Sequence, residues 1–128
     1  MKYLLDTHAF VWLESNPERL SHIVATLVRD LNNVLMLSIT TVWEIQIKAQ
    51  IGKLKLKFPL PVVVQNQVND NQMQLLTVTL EHVLELDSLP LHHHDPFDRL
   101  LVAQARVENA ILISSDPEIA KYDVQTIW

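Results

Sequence analysis

Four acidic side chains stand where a fold could bring their oxygens together: Asp6, Glu44, Asp98 and Asp116. Asp6 closes the apolar run Tyr3–Leu5, and Asp116 follows the run Ile111–Ile113 after two serines. Glu44 sits between large apolar residues in Thr41-Val42-Trp43-Glu44-Ile45. Asp98 heads a helical stripe continued by Leu101, Val102 and Ala105, an uncommon place for a carboxylate because an unpaired buried charge is costly. Carboxylates that meet repel one another, and a hard divalent cation such as Mg²⁺ or Mn²⁺ relieves that repulsion. Such an ion can activate water and neutralise charge building on a phosphodiester. The chemistry suggested is metal-dependent phosphodiester hydrolysis.

The elements that must position these acids can be read from pattern. Tyr3–Leu5, Val34–Leu37, Leu75–Val78, Ala110–Ile113 and Val124–Ile127 read as strands, the first four nearly continuous in apolar residues, as expected of strands covered on both faces. Helical spacing runs through Glu18–Leu31, Ile39–Ile51, Leu60–Gln72 and Pro96–Val107. Ser38 is placed to cap the second of these, with Gly52 stopping it, and Asp95 to cap the last, with Pro96 at its first position. Alternation of strands and helices predicts one α/β domain over residues 1–128, a mostly parallel central sheet with helices on both faces. Open parallel sheets bind ligands beyond the carboxyl ends of their strands, where Asp6, Ser38 and Asp116 all fall.

Composition narrows the field. The chain of 128 residues is 48% apolar, long enough for a real core, and has no cysteine, which excludes disulfides, thiolate metal sites and thiol nucleophiles. Its single glycine cannot supply a phosphate loop or a dinucleotide fingerprint. No apolar run is long enough to span a membrane and the start is no secretory signal, so a cytoplasmic protein is expected. A formal charge of −5 argues against a general polyanion-binding surface, but the charge is uneven. Lys48, Lys53, Lys55 and Lys57 cluster, and no further Lys or Arg appears before Arg99. That cluster reads as a solvated helix end, with an RNA-backbone contact as the alternative.

Each acid also has a plain structural explanation. Asp95 is accounted for by capping, Asp98 by the helix dipole of a first turn, and Asp116 by the start of a short helix over residues 117–121. Consecutive His92, His93 and His94 lack the spacing of a helical metal site and read as a loop. Trp12 and Trp43 read as core residues. The joint arrival of the acids at one sheet edge is what favours chemistry.

At these positions the sequence resembles the PIN-domain ribonucleases, in particular the VapC-type toxins of toxin–antitoxin pairs. The stretches that carry the resemblance are LLDTHAFVW (4–12), SITTVWEIQIK (38–48), LPLHHHDPFDRLLVAQA (89–105) and ILISSDPEI (111–119). It implies an acidic cluster of Asp6, Glu44, Asp98 and Asp116 that binds Mg²⁺ or Mn²⁺ and hydrolyses RNA by metal-activated water, leaving a 5′-phosphate and a 3′-hydroxyl. Asp95 would assist, Ser38 and Thr7 would hydrogen-bond carboxylates or the scissile phosphate, and Arg99 would contact RNA or pair with an acid. The resemblance further implies a cognate antitoxin as partner and a homodimer.

Three rival readings are distinguishable. A phospho-accepting receiver domain needs paired acids after its first strand, whereas Thr7 follows Asp6. A phosphatase with Asp6 as nucleophile expects a second acid where His8 stands. A non-catalytic α/β binding module would use the acids only as helix caps.

Overall fold

The computed structural model describes all of residues 1–128. Five strands, β1 (Lys2–Leu5), β2 (Val34–Ser38), β3 (Gln74–Leu76), β4 (Ile111–Ile113) and β5 (Thr126–Ile127), form one wholly parallel sheet in the order β3-β2-β1-β4-β5. Six helices accompany them: α1 (Thr7–Ser15), α2 (His22–Arg29), α3 (Ile39–Gln50), α4 (Leu60–Asp70), α5 (Leu80–Glu85) and α6 (Pro96–Glu108). The strand order differs from the 2-1-3-4-5 order of receiver domains, which sets that rival aside.

Successive side chains of a strand point to opposite faces, and the central strands use both. Tyr3, Leu5, Leu35, Leu37, Ile111 and Ile113 enter one core, shared with Phe10, Val24, Ile45 and Val63 from α1 to α4. Leu4, Met36 and Leu112 point the other way, into a second core with Leu101, Val102 and Ala105 of α6. An apolar residue at every position is therefore the mark of a strand sandwiched between helix layers.

The ends of the helices follow local chemistry. The Ser38 side chain accepts from the Thr40 amide at the start of α3, and Gly52 just past its end has φ +75°, a left-handed conformation that glycine adopts without strain. Asp95 accepts from the amides of Phe97 and Asp98 to begin α6, and Asn109 closes that helix at φ 55°.

Several elements depart from expectation. The helix expected over Glu18–Leu31 begins only at His22, because Pro17–Arg19 forms a 3₁₀ turn and Ser21 caps the helix through the Val24 amide. Helix α1 has no counterpart in the sequence reading: Ala9-Phe10-Val11-Trp12-Leu13 is apolar all round, so it shows no 3.6-residue period. Helix α5 is too short to show one. Strand β3 starts one residue earlier than expected and is an exposed edge rather than a doubly covered strand. The short helix expected at 117–121 reduces to a 3₁₀ turn at Ile119–Lys121. Trp12 is half-buried, and Trp43 is no core residue at all, being 58% exposed.

Candidate active site

The carboxyl ends of β1, β2 and β4 deliver Asp6, Ser38 and Ser114 to one edge of the sheet, with Asp116 two residues beyond Ser114. Asp6 ends β1 and begins α1 at once: its Oδ1 accepts from the Ala9 amide at 2.8 Å, so one carboxylate oxygen is a helix cap. Asp116 stands at a turn before the 3₁₀ segment and caps no helix; its Oδ1 accepts from the Glu118 amide at 2.9 Å while its own amide donates to Ser114 Oγ. Capping and clustering are not alternatives for Asp6, which caps with one oxygen and has a second.

Glu44, on α3, is only 4% exposed. The Thr7 hydroxyl donates to its Oε1 at 2.7 Å, and Lys48 one turn later reaches its Oε2 at 2.6 Å. Lys48 therefore answers a buried carboxylate instead of merely solvating a helix end, and the Glu-to-Lys spacing of four residues is the signal that could have shown it. Ser38 does not reach a carboxylate; it donates to Gln104 Oε1 of α6 and so joins the two helices that carry Glu44 and Asp98.

Asp98 is held by an unexpected partner. His93 Nε2 lies 3.4 Å from Asp98 Oδ2, and His93 Nδ1 lies 2.8 Å from the Tyr122 hydroxyl. Arg99 donates to that same hydroxyl and to the carbonyls of Leu89 and Pro90. With Arg99 filling a lone pair of the Tyr122 oxygen, the phenolic proton is available to His93 Nδ1, which leaves Nε2–H to face the carboxylate. Arg99 accordingly pins the loop before α6, and pairs with no acid. Nothing in the periodicity of the sequence singles out His93 among its neighbours. His8 is exposed and lies against Trp12, with ring centroids 5.7 Å apart.

The electrostatics show that the acids sense one another. Burial pushes the Asp98 carboxyl up to about 6; the negative charges of Asp95, Glu44 and Asp116 push in the same direction and His93 opposes them. Asp6 is likewise raised, first by burial and lastly by Asp116, against the lowering influence of Ser114, the Ala9 amide and His8. Asp95, Glu44 and Asp116 act on Asp98, and Asp116 acts also on Asp6, so residues 6, 44, 95, 98 and 116 share one electrostatic neighbourhood. No three His, Asp or Glu side chains stand in the geometry of an ion's coordination shell. The donor chemistry nevertheless suits a hard divalent cation: every group is a carboxylate, and Asp6 and Asp116 each give only one oxygen to a backbone amide. Glu44 has both oxygens engaged by Thr7 and Lys48. The two cavities of the molecule, about 540 and 150 Å³, open at the opposite, amino-terminal edge of the sheet, lined by Lys2, Ile111 and Gln125 and by Val34 and Gln74 respectively.

A parallel α/β sheet with acids gathered beyond its strand ends defines a class; sequence comparison narrows it. The PIN domain family matches residues 3–125, and the chain belongs to that family. None of the curated proteins matches the sequence significantly. Among solved structures, the chain is similar to one of VapBC2 from Rickettsia felis bound to a DNA fragment from its promoter, at TM-score 0.76 and 18% identity over 99% of this chain and 98% of that one. It is similar also to VapBC-1 from nontypeable Haemophilus influenzae, at TM-score 0.68 and 22% identity over 99% and 97%. DNA-bound VapBC from Salmonella typhimurium matches at TM-score 0.71 and 14% identity over 99% and 97%. At these identities the likeness is one of fold.

Proposed function

We propose that the protein is a divalent-metal-dependent endoribonuclease and the toxin of a toxin–antitoxin pair. One observation carries the reading: acids separated by up to 110 positions in the chain, Asp6 to Asp116, gather beyond the carboxyl ends of neighbouring strands, close enough that the charge of Asp116 raises Asp6. Caps and pairs account for single acids of the cluster, but burial and mutual repulsion both oppose their gathering at one edge. Membership of the PIN domain family and likeness to chains of VapBC complexes support the same reading.

In this reading Asp6, Asp98 and Asp116 would hold Mg²⁺ or Mn²⁺ through their carboxylates. The bound ion supplies Lewis acidity toward water and the phosphodiester. Thr7 and Lys48 hold Glu44 by its two oxygens, whose remaining lone pairs would orient the attacking water or join the ligands. His93 orients Asp98, while Asp95 adds negative charge beside it. Ser38 ties the start of α3 to the second half of α6 through Gln104.

An acidic edge invites a basic inhibitor segment, and a cognate antitoxin is the partner this reading assigns to it. A homodimer, and a cytoplasmic location with access to RNA, belong to the same reading. No helix of the structure is long and apolar enough to cross a membrane. The test is incubation with total cellular RNA, with Mg²⁺, with Mn²⁺ and with EDTA, followed by mapping of the cut ends. Cleavage that requires the ion and disappears in Asp6→Asn is expected. RNA left intact with both ions, or cut equally well in EDTA, overturns the proposal.

A further inference from the structure

Trp43 is a large aromatic side chain that the fold leaves 58% exposed. It immediately precedes Glu44 on α3, and Phe97, its contact, immediately precedes Asp98 on α6. The two rings meet edge-to-face, with centroids 5.0 Å apart and planes at 75°. Helices α3 and α6 pack together, so the aromatic pair spans the same helix junction as two of the acids. Consecutive helical residues point about 100° apart, which puts Trp43 on the flank beside Glu44 and not in the core.

The electrostatics of this edge explain why an exposed indole is useful there. An RNA strand approaching clustered carboxylates is repelled, and the basic groups nearby are already engaged. Lys48 is bound to Glu44, and Arg99 is bound to Tyr122 and to the carbonyls of Leu89 and Pro90. Exposed Lys53 and Lys55 lie past the far end of α3, in a turn whose Lys53 and Leu54 amides donate to the Lys48 carbonyl. Beyond the phosphate contact of the bound ion, affinity at the site is added by a contact that is neither ionic nor repelled. The π-face of an unpaired base meets that requirement, and stacking on an aromatic side chain stabilises binding by about 1–3 kcal/mol per base.

We propose that the indole of Trp43, braced by Phe97, is a stacking platform for an unpaired base of the RNA next to the phosphodiester that is cut. The proposal rests on the ribonuclease reading and names how that site recognises its substrate. It makes the site selective for single-stranded or looped RNA, because a base inside a duplex has no free face.

The experiment measures binding separately from cleavage. A short fluorescein-labelled single-stranded RNA of mixed sequence is titrated, in buffer containing Mn²⁺, with the Asp98→Asn protein and with the same protein carrying Trp43→Ala or Trp43→Phe. Trp43→Ala weakens binding roughly tenfold or more, within the range of one lost stack. Trp43→Phe restores binding to within about threefold, because a smaller ring still stacks. Trp43→Ala leaves the salt dependence of Kd unaltered, since no phosphate contact is lost. RNA also quenches the indole emission of the Asp98→Asn protein, and the quench vanishes in Trp43→Phe. Unchanged affinity in Trp43→Ala, or no saturable binding to the Asp98→Asn protein, overturns the proposal. So does intact RNA affinity with weakened antitoxin binding, which would make the indole a protein contact. If RNA binding depends on Trp43 while the wild-type protein cuts no RNA with Mn²⁺, the platform stands and the hydrolytic reading falls.

Discussion

Replacing Asp98 by Asn stabilises the metal-free protein at neutral pH while removing its activity. Asp98 titrates near 6 in the folded chain, raised by burial and by the charges of Asp95, Glu44 and Asp116. Its ordinary value is 3.8, so the folded state holds this proton more tightly than the unfolded state does. Stability attached to the group is then present below about 4 and lost as pH rises through about 6. The full shift of about 2 pH units corresponds to about 3 kcal/mol. Because the side chain is 19% exposed and shares its protons with neighbours, solvent screening brings this nearer to about 1–2 kcal/mol. Asn has nearly the same shape, carries no charge and can still accept from His93. Urea unfolding in EDTA, followed by tryptophan emission, should show Asp98→Asn more stable than wild type by that amount at pH 7.5, with the difference falling to about a third at pH 4.5 and closing below about pH 4. Excess Mn²⁺ should reverse the order, since only wild type keeps its full set of ligands. A variant less stable than wild type in EDTA at pH 7.5, or a gap independent of pH, would refute the reasoning.

Three further perturbations separate structure from chemistry. Asp6→Asn keeps the cap of α1, since Asn caps about as well as Asp, so it should lose RNA cleavage and, because burial raises Asp6 as it does Asp98, be more stable than wild type in EDTA at neutral pH. Asp6→Ala should lose cleavage and be less stable than Asp6→Asn by about 1 kcal/mol from the missing cap, both read by urea unfolding beside a cleavage assay. Lys48→Met leaves Glu44 buried without its counter-charge and should lower stability by roughly 1–2 kcal/mol, discounted because the lysine is partly exposed; adding Glu44→Gln should recover most of that in a double-mutant cycle. Tyr122→Phe removes the hydroxyl shared by His93 and Arg99, and should cost about 1–2 kcal/mol and slow cleavage through a loosened Asp98, an effect that melting curves and single-turnover rates resolve.

How much of this was visible in the chain depends on whether the signal was local. The sandwiched strands were legible because unbroken apolar runs such as Leu35-Met36-Leu37 are needed wherever both faces are covered. Helices α3 and α6 were legible from Ser38, Gly52, Asp95 and Pro96, which act within one turn. Helix α1 was hidden because an all-round apolar helix has no polar face to mark its period. Trp43 was misjudged because apolar neighbours along a helix point in other directions, and exposure is decided by what packs on each flank. Strand-end placement singled out Asp6 and Asp116, whereas the His93–Tyr122–Arg99 support of Asp98 joins residues up to 29 positions apart in the chain, beyond the reach of any pattern.

The central claim is that the carboxylates of this edge gather around a shared divalent cation. A crystal of the wild-type protein grown with Mn²⁺, measured at a wavelength where manganese scatters anomalously, tests it most directly. The account predicts an anomalous peak about 2 Å from carboxylate oxygens of Asp6, Asp98 and Asp116. Manganese bound elsewhere, or carboxylates that stay apart with no peak between them at saturating Mn²⁺, would contradict it.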